Sequence, residues 1–340
     1  MMQGVRCTYV PHTAIYIYEV YREQSFSRAA QKLYLSQPSL SLTIKRYENE
    51  IGVQIFDRST ASVKLTDAGE VVMEYIQRIL ATERDMQAYL EDYRELKTGN
   101  LTLGAAHMFS SYLLPHLIAR FLYVYPDIHV SIAESDFVSL QGMTLNGDVD
   151  LLIESHDFDQ ELFQVYPLFE EYILLAVPAN DTLNSGKAAC ALTAADVLRN
   201  RHVDEQWPCI PLELFRERPF LMLEKGHDMN SRGLRFCRES GFEPKVFMYL
   251  NQLTTACSLA AQHLGVTFVS DTAVKLTNPG EELLYYKLTG PNVKRCINLV
   301  HKRKRYVSKA AEAFIAMAMN LSSQGISGVC KSNEKQGEGL

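Results

Sequence analysis

SFSRAAQKLYLSQPSLSLTIKRYENEIG, residues 25–52, decides how the front of this chain folds. Ser36 stands before Gln37 and Pro38. A Ser at the N-cap with Pro in the first turn starts a helix, because the hydroxyl accepts an orphan N–H and the missing Pro N–H costs little there. Leu40, Ile44, Tyr47 and Ile51 then recur at spacings of four and three, which puts them on one face, and Gly52 ends the run. Upstream, Ala29, Ala30 and Leu33 line a shorter helix that Ser27 is expected to cap, and the paired alanines let a neighbour approach closely. Ahead of it Ala14, Ile17, Tyr18 and Tyr21 repeat at i, i+3, i+4 and i+7, one face of a first helix. Downstream, segments 54–57 and 63–66 flank a Ser/Thr-rich turn at 59–62 and read as a β-hairpin. Three helices and a hairpin make a winged helix-turn-helix, whose third helix has the width of a DNA major groove.

Residues 67–97 contain no proline, and Val72, Tyr75, Ile79, Thr82, Met86, Tyr89, Tyr93 and Leu96 alternate spacings of three and four. A helix of roughly 45 Å with such a stripe wants a partner helix. Beyond Gly99 strands alternate with helices: strands at 101–105, 128–133, 149–154, 163–169, 172–177, 220–223, 245–249, 266–270 and 296–301, with helices at 111–123 and 308–321. The expected architecture is parallel βαβ units in two α/β lobes, closed by a disordered tail at 322–340.

The composition agrees with a folded chain of two or three domains: 340 residues, 47% hydrophobic, 22% charged, with only 18 Gly and 12 Pro. No run of about 18 apolar residues and no basic-then-apolar N-terminus occurs, so neither a membrane span nor a secretory signal is expected, and the cytoplasm is the expected location. The seven cysteines lack zinc or redox spacing. The net charge of -6 excludes a wholly basic nucleic-acid binder. Residues 1–67 nevertheless carry eight Lys/Arg against six Asp/Glu, which points any DNA contact to the front. Phosphate-loop, dinucleotide, zinc-protease and nucleophile-elbow motifs are missing, so no enzyme, cofactor or metal is expected.

The opening stretch, followed by IFDRSTASVKLTDAGE, resembles the N-terminal domain of LysR-type transcriptional regulators. NLTLGAAHMFSSYLLPHLIARFLYVYPDIHV, LNGDVDLLI, GFEPKVFMYLN, AAQHLGVTFVSDTAV and KRYVSKAAEAFI follow in the family's order, so the likeness covers about residues 12–321. It implies an α/β fold with a winged helix-turn-helix at 12–66, a linker and dimerisation helix at 67–97, and at 100–321 a two-lobed effector domain resembling a type 2 periplasmic binding protein. Lobe I would take about 100–168 and 270–321, and lobe II about 169–269. It also implies double-stranded DNA, a small-molecule effector and further copies of the chain, in a homodimer and usually a homotetramer, as partners, with no membrane.

Residue by residue, the likeness puts Gln37, Ser39 and Ser41 at base edges, where Gln can pair bidentately with adenine, and Pro38, Leu42 and Lys45 beside them. Arg28, Arg58 and Lys64 match positions that hold phosphates or the minor groove. Leu42 and Ala61 stand where Arg is common, although Leu42 can meet a thymine methyl. The effector set is the loop Ala106, His107, Met108, Phe109 and Ser110, with Asp136, Gly226, His227, Asn251, Gln252, Thr254 and Ser270. Ala106, Met108 and Asp136 replace hydroxyls common in the family, which favours a partly apolar or cationic effector over a dicarboxylate. Two alternatives stand beside this reading: a regulator with no ligand, and a thiol redox sensor using Cys190 and Cys209. The basic run at 302–305 reads as a solvated strand end, and the Pro- and Trp-bearing excursion at 200–219 has no derived role.

Overall fold

The computed structural model describes residues 12–57, 63–93, 99–277 and 280–322. The chain forms two compact units, one up to residue 94 with 146–148, the other from residue 95 onward. In the first, α1 (His12–Glu23), α2 (Phe26–Lys32) and α3 (Gln37–Ile51) precede a hairpin of β1 (Phe56–Asp57) and β2 (Lys64–Leu65), and then α4 (Asp67–Tyr93). Ile17, Val20, Ala29, Leu40, Ile44 and Phe56 fill the core between them. Ser25, not the expected Ser27, caps α2: its backbone is extended at φ -161°, and its Oγ accepts the Arg28 N–H at 3.3 Å. Ser27 already lies inside the first turn and cannot reach an orphan donor three residues ahead. Ser36 caps α3 as expected, and Gly52 ends it in the left-handed conformation at φ +71°.

Two contacts fix the wing against α3 and α4. Glu48, buried at 5% exposure, accepts the N–H groups of Ile55 at 2.8 Å and Phe56 at 3.1 Å through one oxygen. A Cβ on Gly69 would lie 2.0 Å from the Ile55 carbonyl oxygen, so only glycine lets α4 start this close to the hairpin. Met73, Ile76 and Leu80 bury one face of α4, while Tyr75, Ile79, Met86 and Tyr89 of the predicted stripe stay exposed. The turn at 59–62 and the expected helix end at 97 lie outside the described residues, as does the tail beyond 322.

The second unit opens with β3 (Gly99–Ala105), α5 (His107–Tyr112), α6 (Leu114–Val124), β4 (Ile128–Glu134), α7 (Phe137–Asn146) and β5 (Leu151–Glu154). The single helix expected at 111–123 is two, because Pro115 lacks an N–H for the preceding turn and starts α6 instead. Next come β6 (Phe163–Pro178), β7 (Ala191–Leu192), α8 (Ala194–Leu198), β8 (Pro219–Leu223), α9 (Asp228–Glu239), β9 (Lys245–Leu250) and α10 (Leu253–Ala261). The chain ends through β10 (Thr267–Ser270), α11 (Asp271–Thr277), β11 (Leu283–Lys287), β12 (Lys294–Lys302) and α12 (Lys309–Ser322).

The large sheet runs β4-β3-β5-β12-β6-β11-β7, with β10 also on β6. Parallel pairing holds for β3 with β4 and β5, and for β8 with β9. It fails for β10, β11 and β12, which run antiparallel to β6. The strands expected at 163–169 and 172–177 are one strand of 16 residues. The Glu170–Glu171 pair that reads as a break is carried through because Glu171 faces Arg295 across the ladder. β6 thereby joins two cores, one around Leu103, Phe121 and Phe314, the other around Leu175, Phe220, Phe268 and Tyr286. Ala273, Val274, Leu283 and Tyr285 belong to the second core, while Leu276 on α11 already packs against the first. The 200–219 excursion is built in: Ile210, Leu212 and Phe215 are buried in that second core. Trp207 Nε1 donates to the Cys190 carbonyl at 3.3 Å. No helix of the described residues is long and apolar enough to cross a membrane.

Candidate functional site

Two regions gather the predicted residues. On α3, Leu40 and Ile44 are sealed in the core, which turns the opposite face outward: Gln37, Pro38, Ser39, Leu42 and Lys45 are exposed and Ser41 is half-buried. The Ser39 N–H is taken by the Ser36 cap at 3.3 Å, and the Thr43 hydroxyl bonds the Ser39 carbonyl at 2.9 Å. The Gln37 amide and the Ser39 hydroxyl thus stand at a rigid, capped helix end, the part of such a helix that reaches base edges. Arg28 and Lys64 are exposed. Arg28 donates to the Glu23 carbonyl, and Lys32 pairs with Glu23 at 2.9 Å. Arg58 and Ala61 lie outside the described residues. Sequence reading missed Tyr34, 96% exposed with φ +55° on the turn into α3.

The second region is a cleft of about 430 Å³ at the carboxyl ends of β3, β4 and β5, faced by the loops before α9 and α10. Ala106, His107, Met108, Phe109, Asp136, Gly226, His227, Asn251, Gln252, Thr254 and Ser270 all line it. Ser110 does not; it is buried behind the wall, where its hydroxyl donates to Glu134. Ser270 caps α11, accepting the Ala273 N–H at 3.2 Å. Gly226 reaches φ +101°, which a side chain would resist.

The lining also holds Glu134, Phe137, Glu154, His156 and Arg295, none of which the sequence singles out. Glu134 and Glu154 are the last residues of β4 and β5, and α/β folds gather ligands at strand carboxyl ends, so that signal was available. The Ser110 hydroxyl and then His107, 3.1 Å away, hold the Glu134 carboxyl below the ordinary range. The Ser139 hydroxyl at 2.7 Å and N–H at 3.1 Å do the same for Asp136. Burial pushes the Glu154 carboxyl up, but His156 at 3.4 Å, the Ser155 N–H at 2.8 Å and the Arg295 charge outweigh it and leave it lowered. Arg295 is buried between Glu171, 2.5 Å away, and Asp228, 2.7 Å away. The His156 ring stacks on Phe137 with centroids 3.7 Å apart. Cys190 and Cys209 are free thiols, both half-buried.

The described residues hold no group of three or more His, Cys, Asp or Glu placed to bind a metal ion. Residues 14–70 match the family model "Bacterial regulatory helix-turn-helix protein, lysR family", and residues 94–322 match "LysR substrate binding domain". The chain is 32% identical to the uncharacterized HTH-type transcriptional regulator YcgK of Bacillus subtilis, over 94% of this chain and 97% of that one. It is 30% identical to a probable RuBisCO transcriptional regulator of Gracilaria tenuistipitata, over 87% and 91%. Among solved structures, a full-length OxyR variant from Pseudomonas aeruginosa superposes with a TM-score of 0.64 at 23% identity, covering 92% of this chain and 95% of that one. The chain therefore belongs to the LysR family of bacterial helix-turn-helix regulators, and it is a DNA-binding transcriptional regulator rather than an enzyme.

Proposed function

We propose that this regulator reads an operator with the exposed N-terminal turn of α3 and adjusts its action on DNA when a small molecule occupies the cleft. Gln37, Ser39, Ser41 and Leu42 would meet base edges, while Arg28, Lys45, Arg58 and Lys64 would bind phosphates, which sets affinity and salt dependence. The observation that carries the effector half is the cleft itself: a largely apolar space of about 430 Å³ with convergent polar groups, lined by nearly every residue expected of an effector site. The exposed α4 stripe supports pairing of two copies along that helix. A regulator of this kind would work in the cytoplasm, where its DNA is.

The test is direct. Operator fragments selected from genomic DNA by the full-length protein are titrated with and without compounds that raise its melting temperature, since a ligand selective for the folded state stabilises it by mass action. A compound that binds and shifts operator affinity or promoter output supports the reading. If every cleft ligand leaves both unchanged, the cleft does not control the DNA-binding function.

A further inference from the structure

The charge inside the cleft selects what can bind there. Of the permanent cations on its lining, Arg295 is already spent: its Nε and Nη2 lie 2.5 Å from Glu171 Oε1, and its Nη1 donates to Asp228 at 2.7 Å. Asp228 in turn accepts the Arg232 Nε at 2.6 Å. A ligand carboxylate would have to break into this buried network and strand Glu171, which is fully buried, at a large desolvation cost. The N-terminus of α9 offers no compensation, because the Asp228 carboxylate occupies its first turn. Lys225 remains, exposed to solvent at the rim.

The carboxylates are in the opposite condition. Glu154, only 5% exposed, uses Oε1 for the Ser155 N–H and hydroxyl and for its contact with His156. Its Oε2 has no hydrogen-bond partner among the described residues, although the side chain lines the cleft. That oxygen is not sealed from solvent, so a donor arriving with a ligand can reach it and form a charge-assisted hydrogen bond. Glu134 and Asp136 stand on the same wall and add negative potential. The remaining lining is apolar: Met108, Phe109, Leu223, Leu253 and Phe137, the last held by its stack on His156.

We infer that the cleft takes an organic ammonium ion, a primary amine carried on an apolar or aromatic body, with Glu154 Oε2 accepting from the ammonium and Glu134 and Asp136 supplying the surrounding negative field. This rests on the reading of the cleft as the effector site. Carboxylates held ionised on the wall keep that field in place at neutral pH.

Two amines, phenethylamine and hexylamine, are compared with their acid counterparts, hydrocinnamate and heptanoate, by calorimetry and thermal shift on the full-length protein. The amines should bind and raise the melting temperature, and the acids should do neither. Glu154→Gln should weaken phenethylamine by roughly tenfold or more, the loss of one charge-assisted hydrogen bond. Asp136→Asn, which keeps the helix cap and so the fold, should weaken it several-fold. The ammonium assignment is overturned if neither amine binds, or if amine binding is indifferent to both substitutions. It is also overturned if the acids bind in place of the amines; should Phe137→Ala then abolish acid binding, the cleft survives as the effector site and only its ligand class is wrong. Binding of any of the four that survives both Phe137→Ala and Met108→Trp places the ligand elsewhere and removes the cleft reading itself.

Discussion

Gln37 and Glu48 lie on one helix and do opposite jobs. Gln37 is exposed to solvent at a capped helix start. Gln37→Ala should therefore leave the melting temperature unchanged and cost about 1–3 kcal/mol on the cognate operator, with little effect on random DNA. Fluorescence anisotropy on both DNAs checks it, and equal losses would mean that Gln37 reads no base. Glu48 is buried, and its carboxylate accepts the N–H groups of Ile55 and Phe56 at the entry to β1. Glu48→Ala should leave those donors without a partner and destabilise the unit by roughly 2–4 kcal/mol, read from denaturant unfolding. The helix start, its proline and its terminal glycine were legible at this scale because capping depends on neighbours in the chain. The role of Glu48 was not, since its partners arrive from a different element seven and eight residues on.

At the scale of elements, α4 and β6 show what periodicity can and cannot convey. The α4 stripe is readable from spacing, but Met73, Ile76 and Leu80, which lie outside it, face inward, while Tyr75, Ile79, Met86 and Tyr89 of the stripe stay exposed. Met86→Glu should split the assembly, because a charge on a helix seam cannot be buried without a partner. Light scattering that still reports the wild-type assembly would move the interface elsewhere. β6 runs unbroken where two strands are expected at 163–169 and 172–177, and Arg295 on β12 neutralises the buried Glu171 between them.

α11 has a similar device. Burial opposes the charge on Asp271, but His202 at 2.8 Å and Lys275 at 2.6 Å prevail and hold its carboxyl below the ordinary range. A carboxyl lowered in the folded state contributes stability that is present above the unfolded value and lost as pH falls through the folded one. Unfolding midpoints should therefore be level near neutrality and fall below about pH 4, and Asp271→Asn should flatten that acid limb. An acid limb of the same slope in the variant would assign the effect to other carboxyls.

For the whole molecule, the expectation is a coupling between cleft and operator. By linkage, a ligand that changes operator affinity by some factor must have its own affinity changed by the same factor when the operator is bound. Titrating ligand into free protein and into the protein–operator complex should give two dissociation constants whose ratio matches the ligand's effect on DNA binding, typically about 5–150-fold. A mismatch would show that the two measurements concern different sites.

The sequence by itself determined the family, the winged helix and the loops that line the cleft, because caps, stripes and ordered motifs are local and survive without knowledge of the fold. Only the tertiary structure decided that one strand serves two cores, that Glu134 and Glu154 stand on the cleft wall, and that Arg295 is consumed by Glu171 and Asp228. Those facts depend on which strands pair and in what register, as for Glu171 and Arg295, 124 positions apart. Whether a charge is free or neutralised is a property of that pairing and of burial, and no local pattern encodes either.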